Sequence, residues 1–185
     1  MSVPSVGPVP GAPQPSPWVQ RWAARLAPGA RVLDFAGGAG RNLPPLLARG
    51  ADVTLADREP LAPPGVRTLA ADLERGPWPF EGRRFDAVVC CNYLFRPRLA
   101  LLLDLVDAGG LLVYETFARG NERYGRPANP DFLLARGELL RAAAAAGLTV
   151  LAFEDGFVET PRPAMIQRIC ALRPPLSEQG LRLVG

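Results

Sequence analysis

Short apolar runs alternate with helical patterns along most of the chain. Seven runs have the length of buried strands and are bounded by glycine, proline or polar residues. They cover residues 32–35, 53–56, 66–70, 85–91, 111–116, 148–153 and 165–172. Four further segments repeat apolar side chains at helical spacing, namely residues 18–26, 41–49, 99–106 and 137–146. This alternation predicts an α/β domain with a largely parallel sheet covered on both faces.

The two ends of the chain lack this pattern. Residues 1–17 hold six prolines and two glycines and offer little to bury, so we expect an unstructured, proline-rich tail there. Ser16 is a candidate N-cap for the helix that follows. The folded domain is predicted to cover residues 18–173, and residues 174–185 are expected to form a flexible C-terminal tail.

The link between the second and third predicted strands is unusually short. Residues 58–65 contain Pro60, Pro63 and Pro64. Proline lacks the backbone N–H that a helix interior needs, and parallel strands are normally joined by a longer, helical crossover. We therefore expect this crossover helix to be missing and the sheet edge to be more open there.

Composition narrows the possible chemistry. The chain has 185 residues, 48% of them hydrophobic and 21% charged, which is typical of one globular domain. Histidine is absent and all 21 basic residues are arginines. This excludes a Ser-His-Asp or Cys-His pair, a histidine metal ligand, a P-loop lysine and a Schiff-base lysine. Catalysis is left to carboxylates, tyrosine, cysteine, arginine, backbone amides or a cofactor.

The remaining composition bears on partners and location. The net charge of +3 comes from scattered arginines, so we predict no nucleic-acid partner. The most apolar segment, residues 99–114, is interrupted by acids and glycines, so we predict no membrane association. Cys90, Cys91 and Cys170 lie in apolar runs and do not form a metal-ligand pattern, which favours no metal site and a reducing, cytoplasmic location. The sequence leaves monomer and homodimer open.

A glycine-dense turn is the strongest local signal. The first strand ends with Asp34 and Phe35, and Gly37, Gly38 and Gly40 then lead into a helix. Glycine permits positive φ and lets a ligand approach where a Cβ would block it. Free amides at the start of the helix can then meet a ligand carboxylate or hydroxyl.

Acids stand at the ends of three successive strands. Asp34 precedes the glycine turn, Asp57 ends the second strand, and Asp72 follows the third. At that edge of the sheet, Asp57 can accept both hydroxyls of an adenosine ribose, and Asp72 is within reach of an adenine. A dinucleotide site needs glycine where Leu43 stands, and Asp34 would repel a pyrophosphate. The pattern therefore favours S-adenosylmethionine, which carries an ammonium and a sulfonium, over NAD.

On these residues, the segment from residue 31 to about residue 172 resembles the class I S-adenosylmethionine-dependent methyltransferases. The resemblance implies a Rossmann-like, seven-stranded, mostly parallel sheet with helices on both faces and an antiparallel last strand. It also implies that Cys91 and the residues after it line the methyl and substrate side. The predicted cofactor-binding residues are Asp34, Gly37, Gly38, Gly40, Asn42, Asp57, Arg58, Asp72, Leu73 and Cys91.

A narrower resemblance is carried by two short motifs. Gly40-Arg41-Asn42 and Gly137-Glu138-Leu139 are similar to the tellurite-resistance-type methyltransferases. Those enzymes are thought to use a histidine near the substrate, and this chain has none. The resemblance therefore gives no support to tellurite or a comparable oxyanion as the acceptor.

Candidate catalytic residues lie where the fourth and fifth strands end. Glu115 is the candidate acid/base or substrate-orienting residue, Tyr93 could face the sulfonium through its ring, and Asn92 lies beside it. The long polar segment 117–134 is predicted to be a substrate lid. Its arginines, Arg119, Arg123 and Arg126, favour an anionic or carboxylated acceptor.

The sequence thus predicts an enzyme that transfers a methyl group in line to a small, anionic acceptor. The chain lacks the motifs expected for adenine, cytosine or arginine methylation, which leaves a small molecule by elimination. A non-catalytic S-adenosylmethionine-binding sensor or partner module needs the same binding residues and stays open as an alternative. A nicotinamide-dependent oxidoreductase is disfavoured by Leu43 and Asp34.

Overall fold

Seven strands form one sheet in the computed structural model, which describes residues 14–178 and residue 181. The strand order is β3-β2-β1-β4-β5-β7-β6, and β7 runs antiparallel to both of its neighbours while the other pairs are parallel. The predicted seven-stranded sheet with a reversed last strand is confirmed. The strands are β1 (Arg31–Phe35), β2 (Asp52–Asp57), β3 (Arg67–Ala70), β4 (Phe85–Cys91), β5 (Val106–Phe117), β6 (Thr149–Val158) and β7 (Ala164–Leu172).

In the described part of the chain, four α-helices cover the sheet, each close to its predicted position. They are α1 (Pro17–Ala23), α2 (Leu43–Leu47), α3 (Leu99–Asp104) and α4 (Glu138–Ala145). Short 3₁₀ turns occur at Arg96–Arg98, Asn121–Arg123 and Pro130–Phe132. Between residues 14 and 178, no helix has the length and apolar character needed to cross a bilayer.

The two faces of the sheet have separate cores because side chains alternate along each strand. On one face, Val32 packs with α1 and α2, and the rings of Trp18 and Trp22 meet edge to face at 5.6 Å. On the other face, Leu33 and Phe35 pack with α3 and α4. Helices therefore lie on both faces, as expected, and the ends of β1 and β4 emerge between the two cores.

No helix joins β2 to β3, as the prolines predicted. The residues from Arg58 to Val66 form a bent loop, and Leu61 N–H donates to Gly38 O at 3.0 Å. The link between β3 and β4 also has no helix. There, Trp78 and Phe80 take the place of a helix by packing on Phe35, with ring centroids 6.0 and 5.8 Å away. Aromatic side chains from a loop thus fill the space beside β1.

The domain begins earlier than the sequence indicated. Ser16 and Pro17, which the sequence assigned to the unstructured tail, belong to the folded domain. Pro17 starts α1, and Ser16 is 1% exposed and accepts hydrogen bonds from Trp18 N–H and Val19 N–H. The predicted N-cap is therefore confirmed. Residues 1–13 of the predicted tail, and residues 179–180 and 182–185 at the other end, lie outside the described residues.

Candidate functional site

The candidate site lies at the carboxyl ends of β1, β2, β4 and β5. From β1 the chain proceeds outward to β2 and β3 and then returns to β4 on the other side of β1. Open α/β sheets bind ligands in the crevice at such a reversal of strand order. The glycine turn after β1 and the segment after β4 flank this crevice.

The glycine turn makes room that a side chain would fill. A Cβ on Gly37 would lie 2.3 Å from a methyl of Leu55 and 2.6 Å from Oδ2 of Asp34, so only glycine fits above that carboxylate. Gly38 has φ +55° and meets nothing closer than 4.0 Å at its Cβ position. The backbone at Gly38 therefore faces open space in a conformation that glycine adopts without strain.

Asp34 is buried without a partner. It is 1% exposed, and neither of its carboxylate oxygens has a hydrogen-bond partner among the described residues. Burial raises the pKa of Asp34 to about 7, with a smaller raising contribution from Asp57 and an opposing one from Arg41. A buried acid without hydrogen bonds is costly, so its position under the glycine turn points to a cationic group as its missing partner.

Asp57 and Asp72 occupy successive positions along the same edge. Asp57 Oδ2 accepts the Gly38 N–H at 2.9 Å, which ties the end of β2 to the glycine turn. Asp72 accepts the Glu74 N–H at 2.9 Å and lies 3.5 Å from the Arg58 guanidinium. Mainly the Glu74 N–H, with the Arg75 N–H and nearby arginines, lowers the pKa of Asp72.

Three other predicted cofactor residues lie around this crevice. Leu73 is buried in the same core as Phe35. Asn42 is 2% exposed at the start of α2, and its side-chain oxygen accepts the Ser16 N–H at 3.0 Å. The Cys91 thiol is buried close to Asn42, and burial raises its pKa, which keeps it protonated and unsuited to nucleophilic attack.

Glu115 is held from two sides. Its Oε1 accepts a hydrogen bond from the Ser16 hydroxyl at 2.9 Å, and its Oε2 lies 3.5 Å from Arg168. Arg168 also pairs with Glu154 and stacks over the ring of Trp18, with its guanidinium carbon 4.8 Å from the centroid. The Glu115 side chain is only 12% exposed, so its orientation is defined by these contacts.

Tyr93 lies on the opposite face of the sheet from Glu115. Its ring packs against Phe35 with centroids 5.4 Å apart, and its backbone oxygen accepts the Tyr114 hydroxyl at 2.7 Å. The Tyr93 hydroxyl is buried without a hydrogen-bond partner among the described residues, and burial, more than the nearby Glu74, raises its pKa. Asn92, exposed with φ +56°, lies between the two faces.

Two cavities meet at Asn92 and Phe117. The first, which we call the arginine cavity, has a volume of about 90 Å³ and lies on the α1 side of the sheet edge. Its polar and apolar lining includes Ser16, Arg41, Asn92, Glu115, Phe117, Arg162, Ile166 and Arg168. The second, which we call the lid cavity, has a volume of about 290 Å³ and is lined by Glu74, Asn92, Tyr93, Leu94, Thr116, Phe117, Pro127 and Phe132.

The segment 117–134 forms a loop closed at its base. Leu134 N–H donates to Phe117 O at 3.0 Å, and the Arg96 guanidinium binds the carbonyls of Asp131 and Leu133 at 2.7 and 2.8 Å. Pro127 and Phe132 of this loop line the lid cavity. The three arginines on which the anionic acceptor was predicted are exposed, and none lines either of these two cavities. They are Arg119, Arg123 and Arg126.

The structure thus brings the predicted residues together in three groups. Asp34 and Asp57 lie beside the glycine turn, Arg58 after β2 pairs with Asp72 after β3, and Asn92 and Glu115 share the arginine cavity. The prediction missed Ser16, which it placed in the tail, and Arg168, whose partnership with Glu115 depends on the antiparallel register of β5 and β7. The one sequence signal that Ser16 is ordered was its position as the N-cap of α1.

The comparisons with known proteins rest on structure. No protein-family model matches the chain, and no curated protein matches it in sequence. TehB from Haemophilus influenzae superposes with a TM-score of 0.65 and 17% identity over 84% of this chain, which spans only 61% of that protein.

Two further solved structures match over most of their own length. The 1,6-didemethyltoxoflavin-N1-methyltransferase from Burkholderia thailandensis has a TM-score of 0.61 and 21% identity, with 85% of this chain and 77% of that one covered. A TehB-like S-adenosylmethionine-dependent methyltransferase from Corynebacterium glutamicum has a TM-score of 0.59 and 21% identity, covering 85% and 87%. At these identities the likeness concerns the fold, and this chain has the fold of the class I S-adenosylmethionine-dependent methyltransferases.

Proposed function

We propose that the protein is an S-adenosylmethionine-dependent methyltransferase that acts on a small acceptor. The observation that carries the proposal is Asp34, a buried carboxylate that has no hydrogen-bond partner in the described part of the chain and lies under a glycine turn that faces open space. A ligand with an ammonium group supplies the missing partner, whereas a pyrophosphate would be repelled. The fold shared with structures of such methyltransferases adds independent support.

The residues present fit this cofactor. Asp34 would bind the ammonium, Gly38 leaves space for the backbone of the amino acid portion, and Asp57 would accept the ribose hydroxyls. Asp72 and Leu73 lie one strand further out, where the adenine would be expected from the strand order. Such a cofactor would supply an electrophilic methyl group on a positively charged sulfur. The predicted binding roles of Gly37, Gly40, Asn42, Arg58 and Cys91 belong to the same proposal.

Asn92 directly follows β4, the strand next to β1, and Glu115 lies near the end of β5, one strand further out, where an acceptor would meet the methyl group. Methyl transfer is an in-line displacement, so alignment of the nucleophile is the main requirement. The Glu115 carboxylate can orient an acceptor or take its proton because Ser16 and Arg168 fix it at the wall of the arginine cavity. Tyr93 would instead contribute its ring and buried hydroxyl from the lid cavity.

An anionic acceptor is favoured by the charge of the arginine cavity. Arg41 and Arg162 line it without an ion pair among the described residues, whereas the charge of Arg168 is balanced by Glu115 and Glu154. The arginines of this cavity, not the exposed arginines of the segment 117–134, now support an anionic acceptor. We still propose that this segment is a substrate lid over the lid cavity. The free thiols of Cys90, Cys91 and Cys170 favour a reducing, cytoplasmic location.

Cofactor binding is the first test. S-adenosylhomocysteine should raise the melting temperature of the protein, while NADH at the same concentration should leave it unchanged. The reverse result would replace the proposal with a nicotinamide-dependent activity. The variant Asp34→Asn, which keeps the size of the side chain but removes its charge, should lose most of the stabilisation by S-adenosylhomocysteine.

A non-catalytic module that binds the cofactor would pass that test, so a second experiment is needed. The protein is incubated with metabolite extracts and a cofactor labelled in its methyl group, in parallel with Glu115→Gln. Label transferred by the parent protein and reduced in the variant supports an enzyme. Tight cofactor binding with no transfer to any extract would favour the sensor or partner module.

A further inference from the structure

The arginine cavity has two ends that differ in their distance from the glycine turn. Arg41 follows Gly40 directly, so we call the part of the cavity that Arg41 lines the near end. Arg162 lies in the turn between β6 and β7, and β7 is three strands away from β1 in the sheet. At a spacing of about 4.8 Å between strands, this places the second end about 14 Å from β1 across the sheet. The far end therefore belongs to the acceptor side, not to the glycine turn.

The arginines also differ in how much of their charge is neutralised. Arg168 pairs with Glu154 and lies near Glu115, so its charge is already balanced. Arg162 has no carboxylate within ion-pair distance among the described residues. Its guanidinium carbon instead lies 5.4 Å from the ring centroid of Phe117. Arg162 therefore offers an uncompensated positive charge at the far end.

The wall beside Arg162 is apolar. Phe117, Ala164 and Ile166 are buried in one cluster, and Val158 packs against it. All four line the arginine cavity. The part of these side chains that stays exposed lines the cavity, so an apolar body with a carboxylate would match both the wall and the charge, whereas an inorganic oxyanion would match only the charge.

We propose that the far end of the arginine cavity binds an apolar acceptor through its carboxylate, with Arg162 as the residue that selects for that group. This inference rests on the proposed function, because it assigns the acceptor of the same site. The planar guanidinium can donate two parallel hydrogen bonds to a carboxylate while its face remains on Phe117. Glu115 at the cavity wall repels the same carboxylate, which favours its placement at Arg162.

The test compares molecules of the same shape and different charge. Benzoate and benzamide are titrated calorimetrically into protein saturated with S-adenosylhomocysteine, and inorganic phosphate serves as an anion without an apolar part. Benzoate should bind about ten-fold more tightly than either of the others. Equal affinity of benzoate and benzamide, or no binding of either, would overturn the proposal that the site binds a carboxylate. If phosphate bound as tightly as benzoate, the proposal that the acceptor has an apolar body would be overturned.

Two arginine variants test which residue causes the preference for benzoate. Arg162→Gln should abolish the preference for benzoate over benzamide, while Arg83→Gln, at an exposed arginine in the link between β3 and β4, should leave it intact. A preference that survives Arg162→Gln would remove Arg162 from the site. The titrations are repeated without S-adenosylhomocysteine: a benzoate preference in a protein that fails to bind S-adenosylhomocysteine would overturn the proposed function while supporting the anion site.

Discussion

The hydroxyl of Ser16 donates a 2.9 Å hydrogen bond to the carboxylate of Glu115, a residue 99 positions further along the chain. The Ser16 N–H donates at the same time to the side-chain oxygen of Asn42 at 3.0 Å. One buried residue ahead of α1 thus joins the start of α2, next to the glycine turn, to the end of β5. The orientation of the candidate catalytic acid depends on a segment that precedes the first helix.

Replacement of Ser16 should destabilise the fold through both of its roles. Ser16→Ala removes the cap of α1 and the hydrogen bond to Glu115, and we expect the free energy of unfolding to fall by about 2 kcal/mol. Ser16→Thr keeps a hydroxyl and should lose less than half as much. Urea unfolding of the three proteins measures both values. An alanine variant as stable as the parent would show that these contacts contribute nothing.

Asp34 should make the stability of the protein depend on pH. The pKa of Asp34 is raised from 3.8 in the unfolded chain to about 7 in the fold. Between these values the folded chain keeps a proton that the unfolded chain has lost, so the contribution of Asp34 to the free energy of unfolding falls as pH rises from about 4 to about 7. Above pH 7 that contribution stays at its low level.

The variant Asp34→Asn should remove this dependence. We expect it to be several kcal/mol more stable than the parent at about pH 8 and to lose that advantage toward about pH 4. Urea unfolding across this range gives the comparison. Glu81→Gln, at an exposed acid, is the matched control and should follow the parent at every pH. Parallel curves for Asp34→Asn and the parent would contradict a raised pKa.

The same carboxylate should release protons when the cofactor binds. An ammonium group beside Asp34 favours its ionised form, so binding of S-adenosylhomocysteine at about pH 7 should release about half a proton. Affinity should therefore increase from about pH 6 to about pH 7.5. Calorimetry in two buffers with different ionisation enthalpies measures the release. An equal release by Asp34→Asn would assign the proton to another group.

The glycine turn and the two acids nearest to it could be predicted because their positions follow from local sequence. Asp34 is the last residue but one of β1 and Asp57 ends β2, and the ends of parallel strands meet at one edge. The short crossover after β2 was equally local, since its prolines exclude a helix. Such features need no knowledge of which distant residues pack together.

Contacts across the chain could not be predicted in the same way. Arg168 meets Glu115 because β7 pairs with β5 in one particular antiparallel register. The prolines around Ser16 are typical of an unstructured tail, so the sequence analysis assigned Ser16 to that tail. The placement of Tyr93 and Glu115 on opposite faces depends on how the chain turns after β4, where Asn92 adopts a positive φ. Each of these depends on tertiary geometry, not on composition.

Variants of Asp57 can separate its structural role from its proposed role in cofactor binding. Its carboxylate accepts the Gly38 N–H, and we propose that it also accepts the ribose hydroxyls of the cofactor. Asp57→Asn keeps an acceptor for the Gly38 N–H but loses the charge and the acceptor for the Glu59 N–H, whereas Asp57→Ala loses all three. We expect binding of S-adenosylhomocysteine to weaken by about 1 kcal/mol in the asparagine variant and by about 1 to 3 kcal/mol in the alanine variant.

The matched control for these variants is Asp104→Asn, an exposed acid of α3 whose partners, Arg84 and Arg173, lie away from the glycine turn. It should bind S-adenosylhomocysteine as the parent does in the same calorimetric titration. If Asp57→Ala also kept the affinity of the parent, the ribose would have to be bound elsewhere, and Asp57 would serve only to hold the glycine turn. A loss in the alanine variant alone would assign its contribution to the Gly38 hydrogen bond, because the asparagine retains that acceptor.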